Sequence, residues 1–190
     1  RAGRLEEMLY LIKSLNRGEN ITYHGRHFDI DDTVMLPVAV RDSGVPILLA
    51  CHGRSKVRDI QIERAAKLGD GIISISDTPE EYAEVVKDFY QSVSELGRDL
   101  CEVQTTMYMT INMDENVGRA KADAEEWLLG YYGANIWGNR WGPFGDPQRV
   151  LDRIVQYKDA GAETVIVRFA SFDQDGQLND FLSKIAPALL

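Results

Sequence analysis

The chain is poor in cysteine and in positive charge, and it has no long uninterrupted apolar run. Its two cysteines, Cys51 and Cys101, are far apart and have no metal-ligand spacing, so we predict neither a disulfide framework nor a metal site. Lys and Arg number 21 against 30 Asp and Glu, giving a formal net charge of −9, so nucleic-acid binding has no electrostatic support. No apolar run reaches the length of a bilayer span. These absences favour a protein of the reducing cytoplasm that binds neither nucleic acid nor membrane.

Four candidate strands alternate with helical patterns along most of the chain. They are PILLA (46–50), DGIISIS (70–76), EVQTTMYMTINMD (102–114) and ETVIVRF (163–169). Strand–helix alternation of this kind predicts a parallel sheet with right-handed crossovers. The clearest helix follows the second strand, where Thr78 and Glu81 have capping-box spacing and Gly97 marks the end.

The third strand carries two different faces. Its polar row is Gln104, Thr106, Tyr108, Thr110 and Asn112, and its apolar row is Val103, Thr105, Met107, Met109 and Ile111. In a barrel the apolar row would pack on helices and the polar row would point toward the centre, where a site lies. We favour the barrel because of the strand–helix alternation. A doubly wound open sheet is the alternative.

The turn ACHGRS connects the strand PILLA to a helix predicted from about Ser55 to Leu68. It consists of Ala50, Cys51, His52, Gly53, Arg54 and Ser55. A glycine lets backbone approach a ligand closely, a helix start favours an anion, and arginine and serine donate hydrogen bonds to phosphate. The alternative is an ordinary connection, in which Gly53 serves the turn, His52 bonds to backbone and Cys51 is a small buried residue.

Other polar residues end the second and fourth strands. Ser74 and Ser76 are either structural or in contact with a substrate. Arg168 is a lone charge that must meet an anion, either a ligand or a carboxylate such as Asp173 or Asp175. The segment GYYGANIWGNRWGPFG (130–145) contains aromatic residues that we interpret as core and loop-packing groups, and its glycines indicate a mobile cover: Tyr131, Tyr132, Trp137, Trp141 and Phe144.

Six segments in order resemble the luciferase-like flavin monooxygenases and their deazaflavin-dependent relatives, which are TIM barrels. The segments are RLEEML, GRHFDI, PILLACHG, AAKLGDGII, TPEEYAEVV and GDPQRVLDRIVQYKDAGAETVIVRF. The resemblance implies an α/β fold in which residues 1–190 form a single partial domain. This domain would hold helix four and strands five to eight of a (β/α)8 barrel, with the N-terminal half absent. A complete barrel takes about 250 residues, which agrees with a partial one here.

The resemblance also implies an oxidoreductase that uses reduced FMN or a deazaflavin coenzyme on a small organic substrate. The complete enzyme would be a homo-oligomer, and this part would be inactive alone. The turn from Ala50 to Ser55 would approach the phosphate or the ring of the cofactor, and Ser74, Ser76 and Arg168 would contact the substrate. No catalytic residue is assigned. The alternatives are a non-catalytic half-barrel that binds or assembles with another chain, and a phosphate-binding barrel that does not use flavin.

Overall fold

The computed structural model of the protein describes residues 2–134 and 138–189. A helix and an antiparallel hairpin come first, and parallel strands alternating with helices follow. Short 3-10 turns occupy Leu100–Glu102 and Gly138–Arg140. The regular elements are α1 Ala2–Asn16, β1 Ile21–His24, β2 Asp29–Thr33, β3 Leu48–Ala50, α2 Arg58–Leu68, β4 Gly71–Ile75, α3 Pro79–Glu95, β5 Gln104–Met113, α4 Val117–Tyr132, β6 Phe144–Gly145, α5 Pro147–Asp159, β7 Thr164–Phe169, α6 Gln174–Lys184 and α7 Ala186–Leu189.

The main sheet contains four parallel strands in the order β3-β4-β5-β7. Each strand therefore pairs with the next strand of the βα series, which is the neighbour relation of a (β/α)8 barrel. The two-residue strand β6, which the sequence did not predict, pairs in parallel with the last two residues of β5. The predicted parallel sheet with alternating helices is confirmed.

The two faces of β5 have the environments that the alternation predicted. Met107, Met109 and Ile111 are almost fully buried in the core formed with α2, α3 and α5. On the other face, Tyr108 aligns with Ile75 of β4 and with Ile166 of β7, and Thr110 aligns with Arg168. We call this second side of the sheet the inner face and the side that packs on the helices the outer face.

Local sequence signals determine where the helices begin. At α3, Thr78 and Glu81 form both hydrogen bonds of the capping box, and Pro79 occupies the first turn. At α5, Asp146 caps the backbone amide of Arg149. Helix α2 starts three residues later than predicted, at Arg58, and its N-cap residue Val57 makes no capping hydrogen bond.

The N-terminal helix and the hairpin are joined by one carboxylate. Glu7 of α1 accepts hydrogen bonds from the backbone amides of Arg26, His27 and Phe28, and although desolvation acts to raise its pKa, these bonds lower it. The apolar residues of α1, which share one face at helical spacing, are only partly buried: Leu9 is in the core, while Met8 and Ile12 are exposed. In the described part of the chain, no helix has the length and apolar character needed to cross a membrane.

Candidate functional site

All candidate residues lie at one edge of the sheet. Because β3, β4, β5 and β7 run in the same direction, the loops that follow them leave from a common edge, and in barrels this C-terminal edge carries the active site. The turn from Ala50 to Ser55 follows β3, Ser74 and Ser76 lie at the end of β4, and Arg168 is near the end of β7. Strands β3 and β7 are three inter-strand spacings apart, roughly 14 Å.

Asp77, just beyond β4, is the centre of the polar network at the β3–β4 end. Its side chain is only 4% exposed, and its Oδ2 accepts hydrogen bonds from the Gly53 amide at 2.9 Å and from the Ser74 hydroxyl at 2.5 Å. The backbone carbonyl of Asp77 accepts a third bond, from the Tyr157 hydroxyl at 2.5 Å. His52 Nδ1 lies 3.5 Å from Ser74 Oγ and 3.9 Å from Asp77 Oδ2. The network thus ties the β3–α2 turn to the β4–α3 turn.

The residues of the β3–α2 turn face different environments. Ala50 is exposed and shares the inner face with Ile73. The Cys51 side chain is fully buried in the core on the outer face, and burial raises the pKa of its thiol to about 12. His52 and Arg54 reach the surface, with side chains 29% and 60% exposed. Ala50, His52 and Arg54 therefore have side chains that a ligand could reach at this edge, and Ser55 is half-buried.

Gly53 and Ser55 have hydrogen-bond partners within the chain. The contacts around Gly53 also suggest that packing, and not close approach of a ligand, accounts for a glycine in this turn. A Cβ atom on Gly53 would lie 3.1 Å from Glu81 Cβ and 3.2 Å from the Glu81 carbonyl oxygen. A side chain at this position would thus crowd the packing of the turn on α3. The Gly53 amide is bonded to Asp77, the Ser55 amide to the His52 carbonyl, and Ser55 Oγ to the Val57 amide. The phosphate cradle predicted here therefore has no free amide at Gly53 or Ser55, and the Asp77 carboxylate beneath it disfavours an anion.

Ser74 and Ser76 differ in where they point. Ser74 aligns with Met107 on the outer face, is fully buried and donates to Asp77. Its side chain therefore supports the network and is closed off from the inner face. Ser76 has a left-handed backbone, with φ of 65°, and its carbonyl accepts a hydrogen bond from Arg140 Nε at 2.9 Å. Arg140 also pairs with Glu81, so the segment between α4 and α5 is anchored on the β4–α3 turn.

Arg168 lies in a cage of aromatic rings on the inner face. Its Nη1 donates to the Tyr132 hydroxyl at 2.6 Å and its Nη2 to Thr110 Oγ1 at 2.8 Å. Five ring centroids lie 5.1–5.7 Å from the guanidinium carbon, within the range of cation–π contact. The rings belong to Tyr108, Trp127, Tyr131, Tyr132 and Trp141.

Neither carboxylate suggested by the sequence pairs with Arg168. Asp173 instead caps α6 through the Gly176 amide, and Asp175 makes no ion pair within the described residues. No carboxylate within 4 Å of Arg168 is found among residues 2–134 and 138–189, and its buried Nε has no hydrogen-bond partner there. Of the two alternatives for Arg168, the acidic side chain is therefore not found among the described residues, where aromatic rings surround the guanidinium, and contact with a ligand stays a prediction.

Sequence reasoning missed Asp77 and the cage. Asp77 was treated only as part of a helix start, although a carboxylate that follows a buried strand at the C-terminal edge of a parallel sheet was a usable signal. The aromatic residues were interpreted as packing groups, and Trp127 was not singled out. Tyr131 and Tyr132 are exposed by 65% and 37%, whereas Trp141 is buried. Trp137 lies outside the described residues.

Comparison with known proteins identifies relatives along the whole chain. The sequence model of the luciferase-like monooxygenases matches residues 1–164. An F420-dependent glucose-6-phosphate dehydrogenase from Nakamurella multipartita is 24% identical over 212 residues, covering 100% of this chain and 60% of the relative. A 5,10-methylenetetrahydromethanopterin reductase from Methanolobus tindarius is 24% identical over 120 residues, 63% of this chain and 34% of the relative. The chain therefore spans about 60% of the length of the dehydrogenase it matches.

Solved structures show the same fold. An F420-dependent secondary alcohol dehydrogenase in complex with an F420–acetone adduct superposes with a TM-score of 0.77 at 14% identity, over 97% of this chain and 61% of that one. A monooxygenase from Streptomyces bottropensis superposes with a TM-score of 0.78 at 17% identity, over 100% of this chain and 62% of that one. The predicted partial (β/α)8 barrel is confirmed.

Proposed function

The chain belongs to the luciferase-like monooxygenase family, and from this premise we propose that it is the C-terminal part of a flavin- or deazaflavin-dependent oxidoreductase. The cofactor would be reduced FMN or a deazaflavin of the F420 type, acting on a small organic substrate. The relatives named above support this proposal, because F420 appears in the names of both an aligned dehydrogenase and a superposed one.

Residues 1–190 would form a partial domain of that enzyme. Four parallel strands are half of an eight-stranded barrel, and in the described residues the outer edges of β3 and β7 have no strand partner. We propose that strands from the N-terminal half of the full-length protein pair with these two edges and supply the remaining active-site groups. The coding sequence upstream of Arg1 checks this directly, because on this proposal it encodes the four remaining strands and the three helices between them.

The observation that carries the functional proposal is Arg168. A cation on the inner face, held by aromatic rings and with one buried N–H unpaired, suits a ligand that is both planar and anionic. A flavin or deazaflavin has a conjugated ring and an anionic tail, and when bound it supplies the hydride chemistry. The described residues therefore fit such a group.

The remaining edge residues have supporting roles in this proposal. Ala50, His52 and Arg54 would border the cofactor with their side chains, while Cys51, Gly53 and Ser55 shape the turn that presents them. Ser76 would contact the substrate through its backbone, next to Arg140. Because Asp77 disfavours an anion near Gly53, we place the anionic part of the ligand on the Arg168 side of the edge.

The test is Arg168→Met in the full-length protein, titrated separately with F420 and with FMN. Removing a charged hydrogen-bond donor should weaken binding by about 1.5–3 kcal/mol, or roughly 12- to 150-fold. The melting temperature without ligand should fall only slightly, since no buried carboxylate loses its partner. Arg41→Met, which changes an exposed arginine on the loop before β3, is the matched control. Normal affinity for the preferred coenzyme combined with a large loss of melting temperature would assign Arg168 to structure alone.

A further inference from the structure

His52, Ser74 and Asp77 form a hydrogen-bonded series that leads from the buried side of the β3–β4 end to its surface. Ser74 Oγ donates to Asp77 Oδ2 at 2.5 Å, and His52 Nδ1 lies 3.5 Å from Ser74 Oγ. Ser74 is fully buried and Asp77 is 4% exposed, whereas the His52 side chain is 29% exposed. The carboxylate end of the series is therefore shielded from solvent, and the imidazole end is accessible.

The direction of these bonds fixes which nitrogen of the neutral imidazole carries the proton. An ionised carboxylate only accepts hydrogen bonds, so the Ser74 hydroxyl hydrogen is committed to Asp77. The Ser74 oxygen can then only accept, and its closest side-chain donor is His52 Nδ1. The neutral ring is therefore assigned as the Nδ1–H tautomer, which leaves the Nε2 lone pair as a hydrogen-bond acceptor.

Nothing in the described residues uses that acceptor. Among the described residues, His52 makes contacts only through Nδ1 and its backbone, and the ring lies at the edge where barrels bind their ligands. Within 4 Å, Asp77 has no lysine or arginine partner among residues 2–134 and 138–189. In the described part of the chain, the imidazole is therefore the one potential cation that lies within 4 Å of this buried carboxylate.

We propose that His52 contacts the ligand, with Nε2 accepting a hydrogen bond from a hydroxyl or an N–H group of the bound cofactor or substrate. Ser74 and Asp77 are positioning residues that hold the imidazole in the required tautomer. This inference rests on the proposed function for the identity of the ligand, but the tautomer does not depend on it. A ligand atom that only accepts hydrogen bonds is excluded at this position by the neutral ring.

The first test needs no ligand. In the full-length protein labelled with ¹⁵N-histidine, the nitrogen chemical shifts of neutral His52 should report the Nδ1–H form. Ser74→Ala should shift His52 toward a mixture of the two tautomers, because the acceptor of the Nδ1 proton is lost. A dominant Nε2–H form of His52 in the unmodified protein would overturn the proposal.

The second test separates the two ring positions by substitution. The amide of an Asn side chain occupies the position of Nδ1, whereas the carbonyl oxygen of a Gln side chain reaches that of Nε2. With F420 and FMN as probes, His52→Asn should weaken binding of the preferred coenzyme by about 2- to 12-fold, the range for one neutral hydrogen bond, and His52→Gln by less than about 2-fold. His27→Gln, which changes an exposed histidine beyond the hairpin turn, should have no effect.

Equal affinity in His52→Asn and the unmodified protein would overturn the ligand contact. A protein that binds neither coenzyme would instead overturn the proposed function. The tautomer of His52 would then still decide whether Ser74 and Asp77 position the imidazole.

Discussion

The β3–β4 end and the β7 end of the same sheet edge each carry one charged side chain, and the two side chains differ in how fully they are hydrogen-bonded. At the β3–β4 end, the Asp77 carboxylate is buried and has two donors of its own, Ser74 and Gly53. At the β7 end, Arg168 is partly buried, has two neutral hydrogen-bond partners and is surrounded by rings, and its Nε has no partner among the described residues. The charged group at the β3–β4 end therefore has its hydrogen-bond partners within the protein, whereas the charged group at the β7 end has one N–H group without a partner among the described residues.

This difference shows where a ligand would gain the most from binding. A polar group that is already bonded loses those bonds when a ligand displaces them, whereas an unpaired buried donor costs about 1–3 kcal/mol until something satisfies it. On the proposed function, the β7 end would therefore favour an anion, while the β3–β4 end would orient the ligand through His52. Three predictions test this contrast.

The largest expected effect concerns the two cysteines. If the β3–β4 end is closed, Cys51 must be protected, since its thiol is fully buried and has a pKa raised to about 12 by desolvation. At pH 8 the thiolate fraction is then about 10⁻⁴, and the thiolate is the form that reacts. Iodoacetamide should label the exposed Cys101 at least about 10³-fold faster than Cys51, as measured by peptide mass spectrometry.

The neighbouring Asp99 raises the pKa of the Cys101 thiol as well. Because this slows the labelling of Cys101, the comparison understates the protection of Cys51. In denaturant both cysteines should react at similar rates. Rapid labelling of Cys51 in the folded protein would show that the turn opens and that the β3–β4 end is not closed.

Asp77→Ala should have the next largest effect. The change leaves the Ser74 hydroxyl and the Gly53 amide without their acceptor, and two buried unsatisfied donors predict a loss of about 2–4 kcal/mol in the free energy of unfolding. Asp175→Ala, which removes an exposed carboxylate in the first turn of α6, should cost less than about 1 kcal/mol. Chemical denaturation of both variants measures the difference. Equal stability would mean that water replaces Asp77 readily, so the β3–β4 end would be as open as the β7 end.

The fold was predictable because its signals are local and periodic. Alternation along β5 separated Met107 and Met109 from Thr106 and Thr110, and the structure buries the two methionines on the outer face. The capping box at Thr78 could be predicted from the spacing of Thr78 and Glu81 alone. Strand β6 was not, because two residues carry no periodicity and their pairing depends on where α4 returns the chain. The buried face of α1 was only partly predicted, because tertiary contacts select among its apolar residues.

The site was less predictable because its determinants are contacts between distant segments. That Gly53 packs on Glu81 follows from how α3 docks beside the β3–α2 turn, and a sequence does not show docking. That Arg168 lies among rings depends on α4 and on the segment after it, 27 to 41 residues earlier in the chain for Trp141 and Trp127. The sequence indicates that the charge needs compensation, by a ligand or by a carboxylate, but it does not show that rings provide part of it through cation–π contact.

The smallest effect comes from a pair of glycine substitutions that tests the packing of the β3–α2 turn. Gly53→Ala places a Cβ 3.1 Å from Glu81 Cβ and 3.2 Å from its carbonyl, and the bond from Gly53 to Asp77 hinders the turn from moving away. We expect a loss of about 1 kcal/mol, at the low end for overpacking. Gly130→Ala, in the last turns of α4, meets nothing within 4 Å, so helix propensity predicts a gain of up to about 1 kcal/mol. The two variants should therefore melt on opposite sides of the unmodified protein. If Gly53→Ala instead matches Gly130→Ala, the turn is not packed on α3, and close approach of a ligand becomes the better reason for a glycine at that position.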